Sequence, residues 1–210
     1  MHAYITTFFF FIFSGAHGAT VHDANVFMDL ALGREIPELS RRYGLDPLKV
    51  HGFVSNLGTR DTFYANLKHI NVTGLSQVRR YGNCSKPGYS SPGRLTVGCN
   101  VILDRITVNI VSDLKYMGAR PRTIRTVAKI DPNYALVEAT TIPQRPPLVT
   151  MKPLKPFVPK LNFTGLGDVP LSGSLERGYA FEVSRMLERE LKSEYVEYLS
   201  MAFERVPFPH

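Results

Sequence analysis

Two stretches of this chain alternate strictly between apolar and polar positions. Leu95, Val97, Cys99, Val101 and Leu103 form the first; Ile106, Val108, Ile110, Ser112, Leu114 and Tyr116 mark the second. A period of two places one row of side chains on each face of a pleated strand. Joined only by the turn at Asp104-Arg105, the two runs predict a long antiparallel hairpin with one apolar face. Further strands are expected at 63–75, 123–130 and 134–141, each bounded by Gly, Pro or Asn turns. Consecutive strands with no helix between them argue against a βαβ fold.

From 171 to 206 the period becomes helical. Leu175, Tyr179, Val183, Met186, Leu187, Leu191, Tyr195, Leu199 and Phe203 recur at three-and-four spacing, with charges between them. A single helix of that extent would be about 45–50 Å long and needs a large apolar partner, which the sheet supplies. The pattern therefore predicts an α+β fold: a twisted antiparallel sheet wrapped along a long C-terminal amphipathic helix. At the other end, Val26, Phe27, Leu30 and Ala31 predict a short helix beginning near Asp23. Gly33 interrupts it, Pro37 restarts it, and it ends near Gly44. The stretch 143–159 holds six prolines, so it must be extended, as an edge strand or a polyproline-like crossover.

The chain opens with an uncharged segment containing six consecutive apolar residues from Phe8 to Phe13, and no charge precedes Asp23. That run is too short to span a bilayer and suits a secretory leader. Small residues Ala16 and Gly18 sit at the −3 and −1 positions of a cleavage site before Ala19. Residues 1–18 are thus expected to be a signal peptide and 19–210 one secreted, extracellular domain. Three Asn-x-Ser/Thr triplets, at Asn71, Asn83 and Asn162, are glycosylation candidates. Cys84 and Cys99 form an even pair around a loop rich in Gly, Pro and Ser. In an oxidising compartment they are expected to join; the other reading is two free thiols, with Cys99 packed in a strand.

Composition adds limits. At 210 residues, 44% hydrophobic and 20% charged, the chain is long enough for an ordinary core and excludes wholesale disorder or a multi-pass membrane protein. The net charge of +7 is uneven: residues 115–160 carry +7, while 161–210 carry −3. Lys115, Arg120, Arg122, Arg125 and Lys129 form the densest basic stretch. It reads as a solvated strand face or as a contact for anionic lipid headgroups, glycosaminoglycan or an acidic partner. No helix-turn-helix, zinc finger or RNP-like motif accompanies it, so nucleic acid is not expected. The histidines are scattered, and no zinc-protease, nucleophile-elbow, phosphate-loop or dinucleotide motif occurs. Neither enzyme activity, a cofactor nor a metal site is expected.

Two segments carry a family resemblance. Asp46-Pro47-Leu48-Lys49-Val50 resembles a DPMKV-type segment of the group 7 mite allergens. The run from Ile70 to Gly82, INVTGLSQVRRYG, looks like that family's strand and turn. The hairpins and the helical tail follow in the same order, so the resemblance covers about 46 to 206. It implies a super-roll fold related to the bactericidal/permeability-increasing, lipopolysaccharide-binding and takeout-like proteins, with an apolar tunnel or groove. What it implies for function is binding of a lipid or other hydrophobic small molecule between the sheet and the last helix. Val97, Val101, Val108, Ile110, Met186, Leu187 and Leu191 would then line the site. The alternative is a closed core, with the basic surface acting on anionic glycans, membranes or a protein partner.

Overall fold

The structure is a computed structural model that describes residues 18–57, 63–91, 93–116, 118, 120–165 and 173–209. The signal-peptide expectation falls on residues outside these, apart from Gly18. The first helix begins with a reciprocal cap. Thr20 Oγ1 accepts from the Asp23 amide at 3.2 Å, and the Asp23 carboxylate accepts from the Thr20 amide at 2.9 Å. Two of the orphan donors of a helix start are thereby satisfied.

The helix runs as α1 (Val21–Leu30), a π-helical turn (Ala31–Glu35) and α2 (Ile36–Tyr43). The interruption expected at Gly33 is thus a widened turn with no gap. Pro37, which lacks an N–H and crowds the preceding turn, sits just beyond it. Gly44, at φ 72°, ends the helix in the left-handed conformation.

Eleven antiparallel strands follow among the described residues. They are β1 (Leu48–Val50), β2 (Phe53–Asn56), β3 (Phe63–Thr73), β4 (Arg79–Arg80), β5 (Gly88–Ser91), β6 (Arg94–Leu103), β7 (Thr107–Tyr116), β8 (Arg122–Ile130), β9 (Asn133–Ile142), β10 (Arg145–Pro153) and β11 (Pro159–Thr164). One sheet has the order β1-β3-β7-β8-β11, with β2 also on β3; the other has β10-β9-β6-β4, with β5 on β6. The chain changes sheet between β3 and β4, β6 and β7, β8 and β9, and β10 and β11.

This corrects the predicted hairpin. β6 and β7 are consecutive and both alternate, yet β6 pairs with β9 and β7 pairs with β3 and β8. Alternation identifies the buried face of a strand and says nothing about its neighbour. The connection is held from outside: Arg105 donates to the Gln77 side chain at 3.1 Å, and its carbonyl sits against Gly74. A Cβ on Gly74 would lie 2.1 Å from that carbonyl oxygen, and its φ is 92°. Only glycine fits there. The proline-rich stretch behaves as expected, since β10 is an edge strand with a register shift at Pro146-Pro147.

The terminal helix is long but bent. α3 (Gly173–Lys192) and α4 (Glu194–Glu204) meet at Ser193, whose hydroxyl donates to the Arg189 carbonyl at 2.9 Å. A straight rod would leave the strands; the bend lets α3 meet β10 and β11 while α4 follows β10 and reaches α2. Both sheets and both helical ends share one continuous apolar core.

Polar ties close the periphery. Arg80 clamps Asp29 of α1 with two bonds of 2.9 and 2.7 Å, fastening β4 to the first helix. The Asp46 carboxylate accepts from the amides of Gly74 and Ser76 and from the Ser76 hydroxyl at 2.6–3.1 Å. It holds the entry to β1 against the short 3₁₀ turn Leu75–Gln77. Replacing Asp46 by Ala strands those donors, and we expect a loss of about 2–4 kcal/mol of stability, read by urea denaturation. A loss under about 1 kcal/mol would show that the donors find other partners.

Candidate functional site

The predicted lining residues lie together on the inward faces of the sheets and on the buried stripe of α3. Val97 and Val101 come from β6, Val108 and Ile110 from β7, and Met186, Leu187 and Leu191 from α3. Each is at most 2% exposed, so no water-sized space touches more than a trace of any of them. A ligand reaching these side chains would have to part α3 from the strands.

The interior also contains polar groups. Tyr179 of α3 points into the six-stranded sheet, where its hydroxyl and that of Ser112 on β7 are 2.8 Å apart. The Thr126 hydroxyl of β8 lies beside the phenol without a hydrogen bond of good geometry. Phe163 of β11 meets the Tyr179 ring edge-on at 5.5 Å. Further along, the Tyr195 hydroxyl donates to the Leu75 carbonyl at 3.2 Å. Burial pushes both phenols above the ordinary tyrosine range, opposed at Tyr179 by its hydroxyl neighbours and reinforced at Tyr195 by the Asp46 charge. These tyrosines anchor the helix by their tips as well as by their rings.

An open apolar groove lies on the other flank of α3. It has a volume of about 470 Å³ and runs between 156–159 and the helix. Phe157, Val158, Ala180 and Phe181 form its walls, and Arg177 and Arg185 stand among its polar groups. Phe181 is 63% exposed and Val158 55% exposed, although both are large apolar residues. The spacing 177, 180/181, 184/185 and 188 makes this a second stripe on α3, beside the buried one. Sequence reading passed over it. The available signal was Phe181, an aromatic on the polar flank of the helix, and the apolar pair Phe157-Val158 set between two prolines. A second groove, of about 380 Å³, separates α1 from the tail at 206–209.

The basic stretch is divided by the fold. Lys115, Arg125 and Lys129 point outward from the six-stranded sheet, whereas Arg120 precedes β8 and Arg122 sits at its very start. The two cysteines are joined as a Cys84–Cys99 disulfide. The bridged segment is pinned to α1, because Asn25 accepts from the Cys84 amide at 2.8 Å and donates to the Asn83 side chain at 3.0 Å. Of the glycosylation candidates, Asn71 is half-buried in mid-strand, Asn83 is exposed but engaged by Asn25, and Asn162 is exposed on an edge strand. Among the described residues no His, Cys, Asp or Glu group is arranged to hold a metal ion, and no helix is long and apolar enough to cross a membrane.

No protein-family model matches the chain, so the resemblance to group 7 mite allergens finds no match there, and no curated protein matches it. Among solved structures it is similar to Takeout 1 of Epiphyas postvittana. The identity is 11%, over 83% of this chain and 86% of that one, with a TM-score of 0.37.

The buried phenols set an alkaline limit on the fold. Their raised pKa values mean the unfolded chain loses these protons first, so stability falls as pH rises past about 10. Spectrophotometric titration is expected to show two tyrosines that ionise only with unfolding. Free titration of Tyr179 and Tyr195 with the other tyrosines in the folded protein would contradict this packing.

Proposed function

We propose that this chain is a secreted, non-enzymatic binding protein for a lipid or other hydrophobic small molecule, held where the C-terminal helix meets the strand layer. The observation carrying the reading is the groove beside α3, where Phe181 and Val158 leave large apolar surfaces in water. Exposed apolar surface of this kind, gathered in a concave slot of some hundreds of cubic ångströms, is the usual setting for a small ligand.

The polar groups sharpen the class. Arg185 is paired with Glu182 at 3.1 Å and Glu188 lines the slot with it, so it is Arg177 that favours an amphipathic ligand with an anionic head. Each methylene taken from water is worth about 0.8 kcal/mol, so an acyl chain needs few polar contacts. Binding would be reversible burial with no bond made or broken. The inward residues Val97, Val101, Val108, Ile110, Met186, Leu187 and Leu191 would join the site only if α3 lifted. Secretion is supported by the apolar leader and by the disulfide, which persists in oxidising compartments.

The test is displacement of a fluorescent fatty-acid probe from the full chain, together with native mass spectrometry for copurifying lipid. Phe181→Glu places a negative charge in the slot and is expected to weaken probe binding at least about tenfold. Unchanged affinity would move the site away from this groove. No displacement by fatty acids, lysophospholipids or sterols would sink the ligand-binding reading.

A further inference from the structure

The solvent-facing side of the six-stranded sheet gathers cations that are distant in sequence. Lys49 of β1, Lys115 of β7, Arg125 and Lys129 of β8, and Lys160 of β11 occupy outward positions of the register, and Lys68 is exposed in the bulge of β3 between Leu67 and His69. Two carboxylates answer them. Asp113 pairs with Lys68 and accepts from the Thr123 hydroxyl, which holds its carboxyl below the usual range, and Asp131 pairs with Lys160 at 2.7 Å. Among the described residues Lys49, Lys115, Arg125 and Lys129 have no carboxylate partner.

At the centre is a shallow depression of about 170 Å³ lined by His69, Asn71, Asn109, Val111, Arg125 and Val127. Asn71, Asn109 and Asn162 lie in one cross-strand row with Val127, and Lys49 stands at its end. The next row is Thr73, Thr107, Lys129 and Lys160. Amides and hydroxyls thus stand among the cations on this face.

We propose that this face binds a linear sulfated polysaccharide of the glycosaminoglycan class. Strand spacing of about 4.8 Å spreads the cations over roughly 19 Å from β1 to β11. Such an array fits a polymer of regularly repeated anions better than one phosphate or carboxylate. The groups between the cations include Asn71, Asn109, Asn162, Thr73 and Thr107, which donate to and accept from sugar hydroxyls. A membrane-binding face instead buries protruding apolar groups beside its cations. The two valines in this depression are partly buried, and the exposed apolar side chains on this face, Val54 opposite Asn66 and Tyr64 opposite Lys115, stand toward the other end of β3. The most exposed apolar side chain near a ligand-sized space, Phe181, belongs to the groove on α3. The proposal stands apart from the lipid reading, since the two surfaces share no residue.

The test is retention of the full chain on immobilised heparin, with vesicles containing phosphatidylserine as the competing surface. Arg125→Glu with Lys129→Glu is expected to weaken heparin binding at least about tenfold. Lys152→Glu with Lys155→Glu, the same charge change at the edge of the other sheet, is expected to leave it within about twofold. Arg125→Gln with Lys129→Gln serves if the charge reversal does not fold. Equal losses in both pairs would reduce the interaction to net charge and overturn the proposal. So would vesicle binding without heparin retention at about 0.15 M salt, or peptide mass spectrometry showing a glycan on Asn71.

Discussion

The burial of one helical stripe organises this molecule. Tyr179, Val183, Met186, Leu187, Leu191, Tyr195, Leu199 and Phe203 are all nearly or wholly buried, and they come from the last forty residues of the chain. The strands alone would present two apolar faces with nothing to cover them. Stripping water from those faces is worth about 25 cal/mol per Å², and the helix is what makes that burial complete. Tyr179 and Tyr195 add register to it: each inserts a hydroxyl that must find a particular partner, so the helix cannot slide without leaving a buried donor unsatisfied. The bend at Ser193 belongs to the same constraint, because a stripe that follows two sheets has to change direction where they part.

Because the buried stripe uses only one side of α3, the rest of that helix is free to carry other chemistry. The groove flank with Phe181 lies on it, and so do the exposed Arg189 and Lys192. Meanwhile the outward side of the six-stranded sheet gathers six cations against two carboxylates. The molecule therefore has an apolar slot on its helical layer and a cationic face on its strand layer, separated by a core that is closed to water at Val97, Val101, Val108, Ile110, Met186, Leu187 and Leu191.

Periodicity made much of this architecture legible. The buried rows Leu95 to Leu103 and Val108 to Leu114, the helical stripe and the extended proline-rich edge follow from residue type and spacing alone. What spacing does not encode is partnership. β6 and β7 read as one hairpin because alternation and a tight turn were both present, yet their partners are β9 and β3, chosen by packing at long range. The cationic face was hidden for the same reason. Arg120 and Arg122 look like part of a cluster with Arg125, but on a strand only alternate residues share a face, and Lys49 and Lys160 join from opposite ends of the fold. Phe181 was overlooked because a search for the core stripe discards whatever lies beside it.

The repeated passage of the chain between sheets has a kinetic meaning. No sheet here is assembled from one unbroken stretch: strands β1 to β3 must wait for β7, β8 and β11, and β4 to β6 must wait for β9 and β10. Most contacts therefore close large loops before any reward is collected, which slows folding relative to a chain built from local pairs. The helix α3–α4 follows every strand in chain order and is the piece that covers both layers. Until it docks, the emerging chain exposes two apolar surfaces and unpaired strand edges, the state most open to aggregation. For this fold the vulnerable interval lasts until that helix has been made and docked, and quality control would have to protect every strand until then.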